Sequence, residues 1–171
     1  VGGETNYGGF LSSIVALDAT AAAPVWTEMR RMSTRRYDPI SCVHGGLLYV
    51  FHRRDVVVFN PVANTWTVVG SIPNPRRASA AASFKGKIYI VGGFSTVGPD
   101  LNSIALCEGF DPATGKWTRM ADVNYTRLRP TLIVSFGRMY VFDGSDKDDE
   151  TLPVEEFDTE RNTWTVRPEM R

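Results

Sequence analysis

The sequence predicts an all-β chain of repeated four-stranded sheets, and three landmarks in constant register carry that prediction. Four tryptophans, Trp26, Trp66, Trp117 and Trp164, stand 40, 51 and 47 residues apart, and each follows a turn: Asp18-Ala19, Asn60-Pro61, Asp111-Pro112 and Asp158-Thr159. In the last three the Asp or Asn lies six residues before the Trp, in the first eight. A glycine stands three residues before a tyrosine at Gly46 and Tyr49, Gly86 and Tyr89, and Gly137 and Tyr140, and an arginine stands ten residues before each of those glycines, at Arg36, Arg76 and Arg127. Self-similarity at a period of about 40–50 residues is the mark of stacked units, each too small to bury both faces of its own sheet.

Taken in order, one unit reads as follows. Its first strand is small and apolar, Ser79 to Phe84. The second, Lys87 to Val91, ends at Gly92-Gly93. The third runs from Ile104 to Phe110, and the fourth surrounds Trp117. Equivalent second strands are Leu47 to Phe51 and Arg138 to Phe142, and equivalent third strands are Asp55 to Phe59 and Val154 to Phe157. Gly, Pro, Asn and Asp at the junctions supply the backbone angles of tight turns, and no segment shows helical periodicity. Ahead of these lies part of a unit: the end of a second strand at Val1-Gly2-Gly3, a third strand at Ile14 to Leu17 and a fourth at Trp26.

Radial stacking fits these residues best. Small first strands suit a crowded central axis. Gly92-Gly93 allows positive φ and close backbone approach. An indole on the outer strand is large enough to fill the wedge between neighbouring sheets, where burial contributes on the order of 2–3 kcal/mol. The expected fold is a partial β-propeller, with a partial blade at residues 1–30 and full blades at 31–70, 71–120 and 121–167. An arc with two uncovered faces invites aggregation, so the natural protein is expected to continue at both ends. Two blades depart from the pattern: His52-Arg53 and Asp143-Gly144 stand where the third unit has Gly92-Gly93.

Composition narrows the function. Nineteen basic and nineteen acidic residues leave no net charge and no basic cluster, which argues against nucleic acid or a membrane surface as partner. No apolar run approaches the ~18 residues of a membrane span, and the opening Val1-Gly2-Gly3-Glu4 is neither a signal peptide nor an initiator methionine. Cys42 and Cys107 are far apart without CxxC spacing and read as reduced thiols in the cytosol, so the expected location is cytoplasmic. The sequon Asn124-Tyr125-Thr126 then reads as chance.

The motifs Val91-Gly92-Gly93, Gly109-Phe110-Asp111-Pro112 and Lys116-Trp117-Thr118-Arg119-Met120 resemble a kelch repeat, as do Val154-Glu155-Glu156-Phe157-Asp158 and Asn162-Thr163-Trp164. The resemblance covers essentially the whole chain. Unit length and Trp-x-x-Met outer strands are most similar to the adaptors that join BTB and BACK domains to a kelch propeller. That similarity implies a protein-interaction module that captures substrate for a cullin-3 ubiquitin ligase, cullin-3 being bound through domains outside these residues. Other kelch proteins bind actin or act as oxidases or sugar isomerases, which are the alternatives.

In the adaptor group one end of the propeller holds an extended peptide. The matching positions are Tyr37, Asp38, Arg77, Leu128 and Arg129 in loops entering first strands, and Tyr7, His52, Arg53, Arg54, Phe94, Ser95 and Asp146 in loops leaving second strands. Arginines grip carboxylates bidentately and aromatics anchor at low entropic cost, so Arg53, Arg54, Arg77 and Arg129 imply an acidic protein or peptide client.

Other conspicuous residues read as structural. Arg36, Arg76 and Arg127 recur in every unit and are expected to bond strand ends; Tyr49, Tyr89, Tyr140 and all four tryptophans are expected in the core; His44 replaces Phe84 and Phe136 of the other units. The acidic run Asp143, Asp146, Asp148, Asp149 and Glu150 lacks the spaced calcium-loop pattern and reads as solvated, with no metal. No HExxH, GxSxG, GxGxxG or phosphate loop is present, and two histidines are too few for a metal centre, so neither catalysis nor a cofactor is expected.

Overall fold

The computed structural model describes residues 1–97, 102–145 and 152–168, and among these it holds strands and no helix. β1 (Val15–Leu17) and β2 (Trp26–Glu28) form a two-stranded ladder. β3 (Ile40–His44), β4 (Leu47–Asn60) and β5 (Thr65–Arg77) form the second sheet. β6 (Ala80–Phe84) and β7 (Lys87–Val91) begin the third; β8 (Phe94–Ser95) crosses back to the free edge of β5; β9 (Cys107–Asp111) and β10 (Lys116–Arg119) complete the third sheet. β11 (Thr131–Ser135), β12 (Arg138–Phe142), β13 (Glu155–Asp158) and β14 (Thr163–Val166) form the fourth in chain order. All pairings are antiparallel. β3 lies against β6 and β6 against β11, so the first strands of successive sheets stand side by side along the axis of an arc.

The turns close as their residues dictate. Asn60 Oδ1 accepts from the N–H groups of Val62 and Ala63, Asp111 Oδ1 from Ala113, Asp158 Oδ1 from Glu160 and Arg161, and Asp18 Oδ1 from Thr20, all at 2.8–3.0 Å. Each is an Asx turn, in which a short acid or amide side chain completes the backbone reversal.

Several elements differ from the sequence expectation. The second and third strands of the first full blade do not separate. β4 runs through both, its first half pairing with β3 and its second with β5, with a register shift between Arg53 and Asp55. Arg53 takes a left-handed φ of 53° and is itself paired with Arg76, which leaves no free loop there. The third strand of the next blade begins at Cys107, not Ile104, although Ile104 N–H still bonds Gly93 O at 2.9 Å. Val1-Gly2-Gly3 forms no strand; Gly3 N–H bonds Arg36 O at 2.9 Å, and the isolated bridges Glu4 to Phe10 and Leu11 to Arg36 follow.

The wedge between sheets is also differently built. Trp26 is exposed, because its two-stranded ladder has no inner strands among the described residues to carry it into a core. Trp66 and Trp117 are half-buried, and only Trp164 is buried. The fully enclosed wedge is instead the third-strand phenylalanine: Phe59, Phe110 and Phe157 are buried, and each tryptophan lies over its own phenylalanine at 4.8–4.9 Å. Tyr49 of one sheet meets Phe110 of the next at 6.2 Å, and Tyr89 meets Phe157 at 5.7 Å. Tyr49 and Tyr89 are core as expected, whereas Tyr140 is half-buried. Trp66 and Trp164 act as clamps, their indole N–H groups donating to Arg30 O at 2.6 Å and Ala121 O at 3.0 Å in the chain leaving the preceding sheet. Asn64 and Asn162, two residues before those tryptophans, accept from the N–H groups of the same Arg30 and Ala121. His44 is held by a 2.8 Å hydrogen bond between Nδ1 and Ser83 Oγ across two sheets; its register equivalents are Phe84 and Ser135, and Phe136 instead stands exposed in the turn.

Gly93 is where glycine is required. Its φ is 101°, and a Cβ there would stand 2.0 Å from Ser79 Oγ and 2.6 Å from Arg77 O. Gly93→Ala is expected to cost about 3 kcal/mol, since a backbone carbonyl blocks the methyl as well as the left-handed φ opposing it. Gly86→Ala, with φ 78° but open space around it, should cost about 1 kcal/mol. Urea midpoints of the two full-length variants check the difference.

Candidate functional site

Two crossings of the chain build the site. β8 pairs with the end of β5 through Arg77 and Phe94, which sets the Phe94 ring beside the Arg77 side chain. The Arg77 guanidinium carbon lies 5.1 Å from the centre of Phe94 and 5.8 Å from that of Tyr37, within cation–π range of both. Tyr37 is in turn stacked on Phe10 at 5.3 Å. The result is a half-buried arginine held between aromatic faces and not free to swing into solvent.

Arg77 and Phe94 open onto a cavity of about 820 Å³ whose walls also include His52, Arg53, Arg54 and Asp55. Among the described residues, three guanidinium groups thus face one carboxylate. Burial, with Arg36 and Arg53 nearby, pushes His52 below its usual range, so the ring is neutral at pH 7. It offers hydrogen bonding and adds no charge. Short linkage of the two halves of β4 is what places His52, Arg53 and Arg54 here, since the first full blade has no Gly-Gly loop at that end.

The remaining sequence-predicted positions fall elsewhere. Ser95 lines a neighbouring cavity of about 530 Å³ together with Arg54, and its Oγ donates to Val97 O at 3.0 Å. Asp38 and Arg129 face each other across the mouth of the axis at 2.9 Å. Arg129, expected to grip an acidic client, is thus paired within the chain, and Asp38, first by its hydrogen bond, raises the Arg129 pKa. Leu128 is committed to a backbone bridge with Ser145. Tyr7 is almost wholly exposed and lines neither cavity. Asp146 and the acidic residues up to Glu150 lie outside the described residues, while Asp143 accepts a hydrogen bond from Arg127 at its backbone oxygen, 2.8 Å away. Pro75, Thr96, Val97 and Asp55 join the walls of the larger cavity without having been anticipated; Asp55 follows Arg54 directly on β4, whereas Thr96 and Val97 arrive against Pro75 only through the return of β8 onto β5.

Behind this surface lie the recurrent arginines. Arg76 is fully buried and donates to Glu108 Oε2 and to the carbonyl oxygens of Asn74 and Ile90; the Asn74 amide donates to Glu108 Oε1 at 2.7 Å. Arg127 is equally buried and donates to Glu155 Oε1 at 3.1 Å and to the carbonyls of Asp143 and Pro153, while Asn124 N–H gives Glu155 Oε2 a 2.7 Å bond. Arg76 and Arg127 do bond strand ends, and their acidic partners were missed; Arg36 departs from that expectation, since its Nη1 finds no partner among the described residues. The same engagement of Asn124 occupies the sequon side chain. Cys42 and Cys107 are unpaired, and burial pushes their thiols up to about 11 and about 12, far from the thiolate a nucleophile or metal ligand requires.

The geometry agrees with the comparisons. The family model for the Kelch motif matches residues 75–124, which span the end of β5 through β10. The chain is a run of kelch propeller blades. The solved structure of YjhT superposes on 92% of the kelch chain with a TM-score of 0.81 at 19% identity, and the chain covers 59% of it, a likeness of fold. Alpha-scruin of Limulus polyphemus is 31% identical over 78% of the kelch chain, and Kelch-like protein 35 of Mus musculus is 26% identical over 83%. Kelch repeat and BTB domain-containing protein 1 of Camelpox virus is 26% identical over 84%. The kelch chain spans 14%, 25% and 26% of those three relatives respectively. Its blades resemble those of BTB-kelch proteins, and the module is one of protein interaction.

Proposed function

We propose that this end of the kelch propeller captures an acidic segment of a protein client, and that the chain is the client-recognition part of a cytoplasmic cullin-3 ubiquitin ligase adaptor. The observation that carries the reading is Arg77, held between Tyr37 and Phe94 at the wall of a cavity that also presents Arg53 and Arg54 against, among the described residues, one carboxylate, that of Asp55. A pre-ordered guanidinium loses little freedom when it meets a carboxylate, and aromatic walls supply contact area at low entropic cost. The adaptor role is supported by the likeness to relatives whose names join kelch repeats to a BTB domain. The reading is of binding: burial holds both thiols protonated, which removes the thiolate that a cysteine nucleophile needs.

Affinity capture with the full-length protein, read by mass spectrometry, tests this. Cullin-3 should be recovered together with a client whose capture is competed by a glutamate-rich peptide. Recovery of neither, together with turnover of a small substrate, would replace the proposal with an enzymatic one.

A further inference from the structure

One of the three buried arginines has lost its acid. Glu108 and Glu155 stand at equivalent places, two residues before Phe110 and Phe157, and receive Arg76 and Arg127. In the first full blade the place two residues before Phe59 is Val57. Arg36 nevertheless occupies the same position as its counterparts and is just as enclosed, at 1% exposure. Its Nη1 finds no hydrogen-bond partner among the described residues, whereas the Nη1 of Arg76 and of Arg127 is bonded; Nε is unpartnered in all three. The nearest carboxylate, Asp55, is 3.8 Å from Nη2, beyond hydrogen-bond reach, on a side chain that is 58% exposed. A buried guanidinium without a matched acceptor is costly, so a recurrent arginine kept without its recurrent glutamate is an unfilled acceptor position.

A cleft opens beside that position, although Arg36 itself is enclosed. A cleft of about 220 Å³ is lined by Arg36, Arg31, Ser33, Val57 and Trp66 among others. Ser33 stands three residues before Arg36, as Asn124 stands before Arg127, and Asn124 is a donor to the Glu155 carboxylate. Val57 packs with Met32 and Trp66 into an apolar wall. The cleft is below the size range of drug-like sites and suits a short aliphatic acid.

We propose that this cleft is a carboxylate-binding site, in which an aliphatic carboxylate supplied from outside the blade takes the place of the missing glutamate. Its head meets Arg36, with Ser33 as second donor, and its methylene groups lie on Val57 and Trp66. The acid has two sources with the same chemistry, a Glu or Asp side chain of a protein partner or a free short-chain carboxylate. The cleft is separate from the cavity at Arg77, so the proposal does not depend on the function proposed above.

Calorimetric titration of the full-length protein with glutarate, and in a second arm with the capped peptide acetyl-Gly-Glu-Gly-amide, tests it. At least one should bind saturably. Val57→Glu, which restores the internal acid at a position where two other blades accommodate it, should weaken that binding at least tenfold and raise the urea midpoint. Binding of the peptide alone assigns the site to a partner's side chain; binding of glutarate as well admits the free acid. Binding of neither, or binding that Val57→Glu leaves intact, overturns the proposal. Arg36→Met should abolish the binding, and Val57→Glu keeps the readout if that variant fails to fold.

Discussion

Glu108→Ala is expected to lower the stability of the full-length protein by about 3–5 kcal/mol. Arg76 is fully buried and the Glu108 side chain is 4% exposed, so removing the carboxylate leaves a positive charge in the interior between two sheets. It also strips the Asn74 amide of its 2.7 Å acceptor. The carbonyl oxygens of Asn74 and Ile90 still accept from Arg76, but they do not neutralise it. Urea unfolding of wild type and variant measures the loss. The double replacement Arg76→Met with Glu108→Leu should recover most of it, because the charge and its solvation requirement leave together. A loss under 1 kcal/mol for Glu108→Ala would show that the pair is not what joins these strands.

Arg77→Glu should weaken client capture about thirtyfold, the equivalent of about 2 kcal/mol for loss of a central arginine anchor. Three effects combine. The variant removes the guanidinium that meets the acid, breaks the cation–π contacts to Tyr37 and Phe94, and adds a second carboxylate beside Asp55. Arg129→Glu should weaken capture less than threefold, because that arginine already spends its charge on Asp38. Titration of an acidic client peptide against both variants, at two salt concentrations, separates the electrostatic part. Equal effects of the two substitutions would move the binding surface from the β5–β8 crossing to the mouth of the axis.

The repeat was legible because its landmarks are local. Asn60, Asp111 and Asp158 close turns within three residues of themselves, so their spacing from the tryptophans reports hairpins directly. The inter-blade clamp was legible too, had Asn64 and Asn162 been read with Trp66 and Trp164, since both act at a constant offset. Half of the site was visible in the same way: Arg77, Phe94, His52, Arg53 and Arg54 follow strand ends that the repeat register locates. The pairing of Asp38 with Arg129 was not, because 91 residues separate them and only the curvature of the arc brings them together.

By itself, the sequence determined the unit: four short strands, an Asx turn before each outer tryptophan, and an arginine in constant register with the glycine turn. These follow from backbone geometry and side-chain reach over a few residues, which the order of amino acids states outright. Only the tertiary structure decided that Phe110 and not Trp117 is the enclosed wedge, that β8 returns to β5 to pin Arg77, and that Arg36 is buried beside a valine where its counterparts meet glutamate. Each of those depends on what a neighbouring sheet excludes from water, and burial is a property of stacked sheets that no single strand carries.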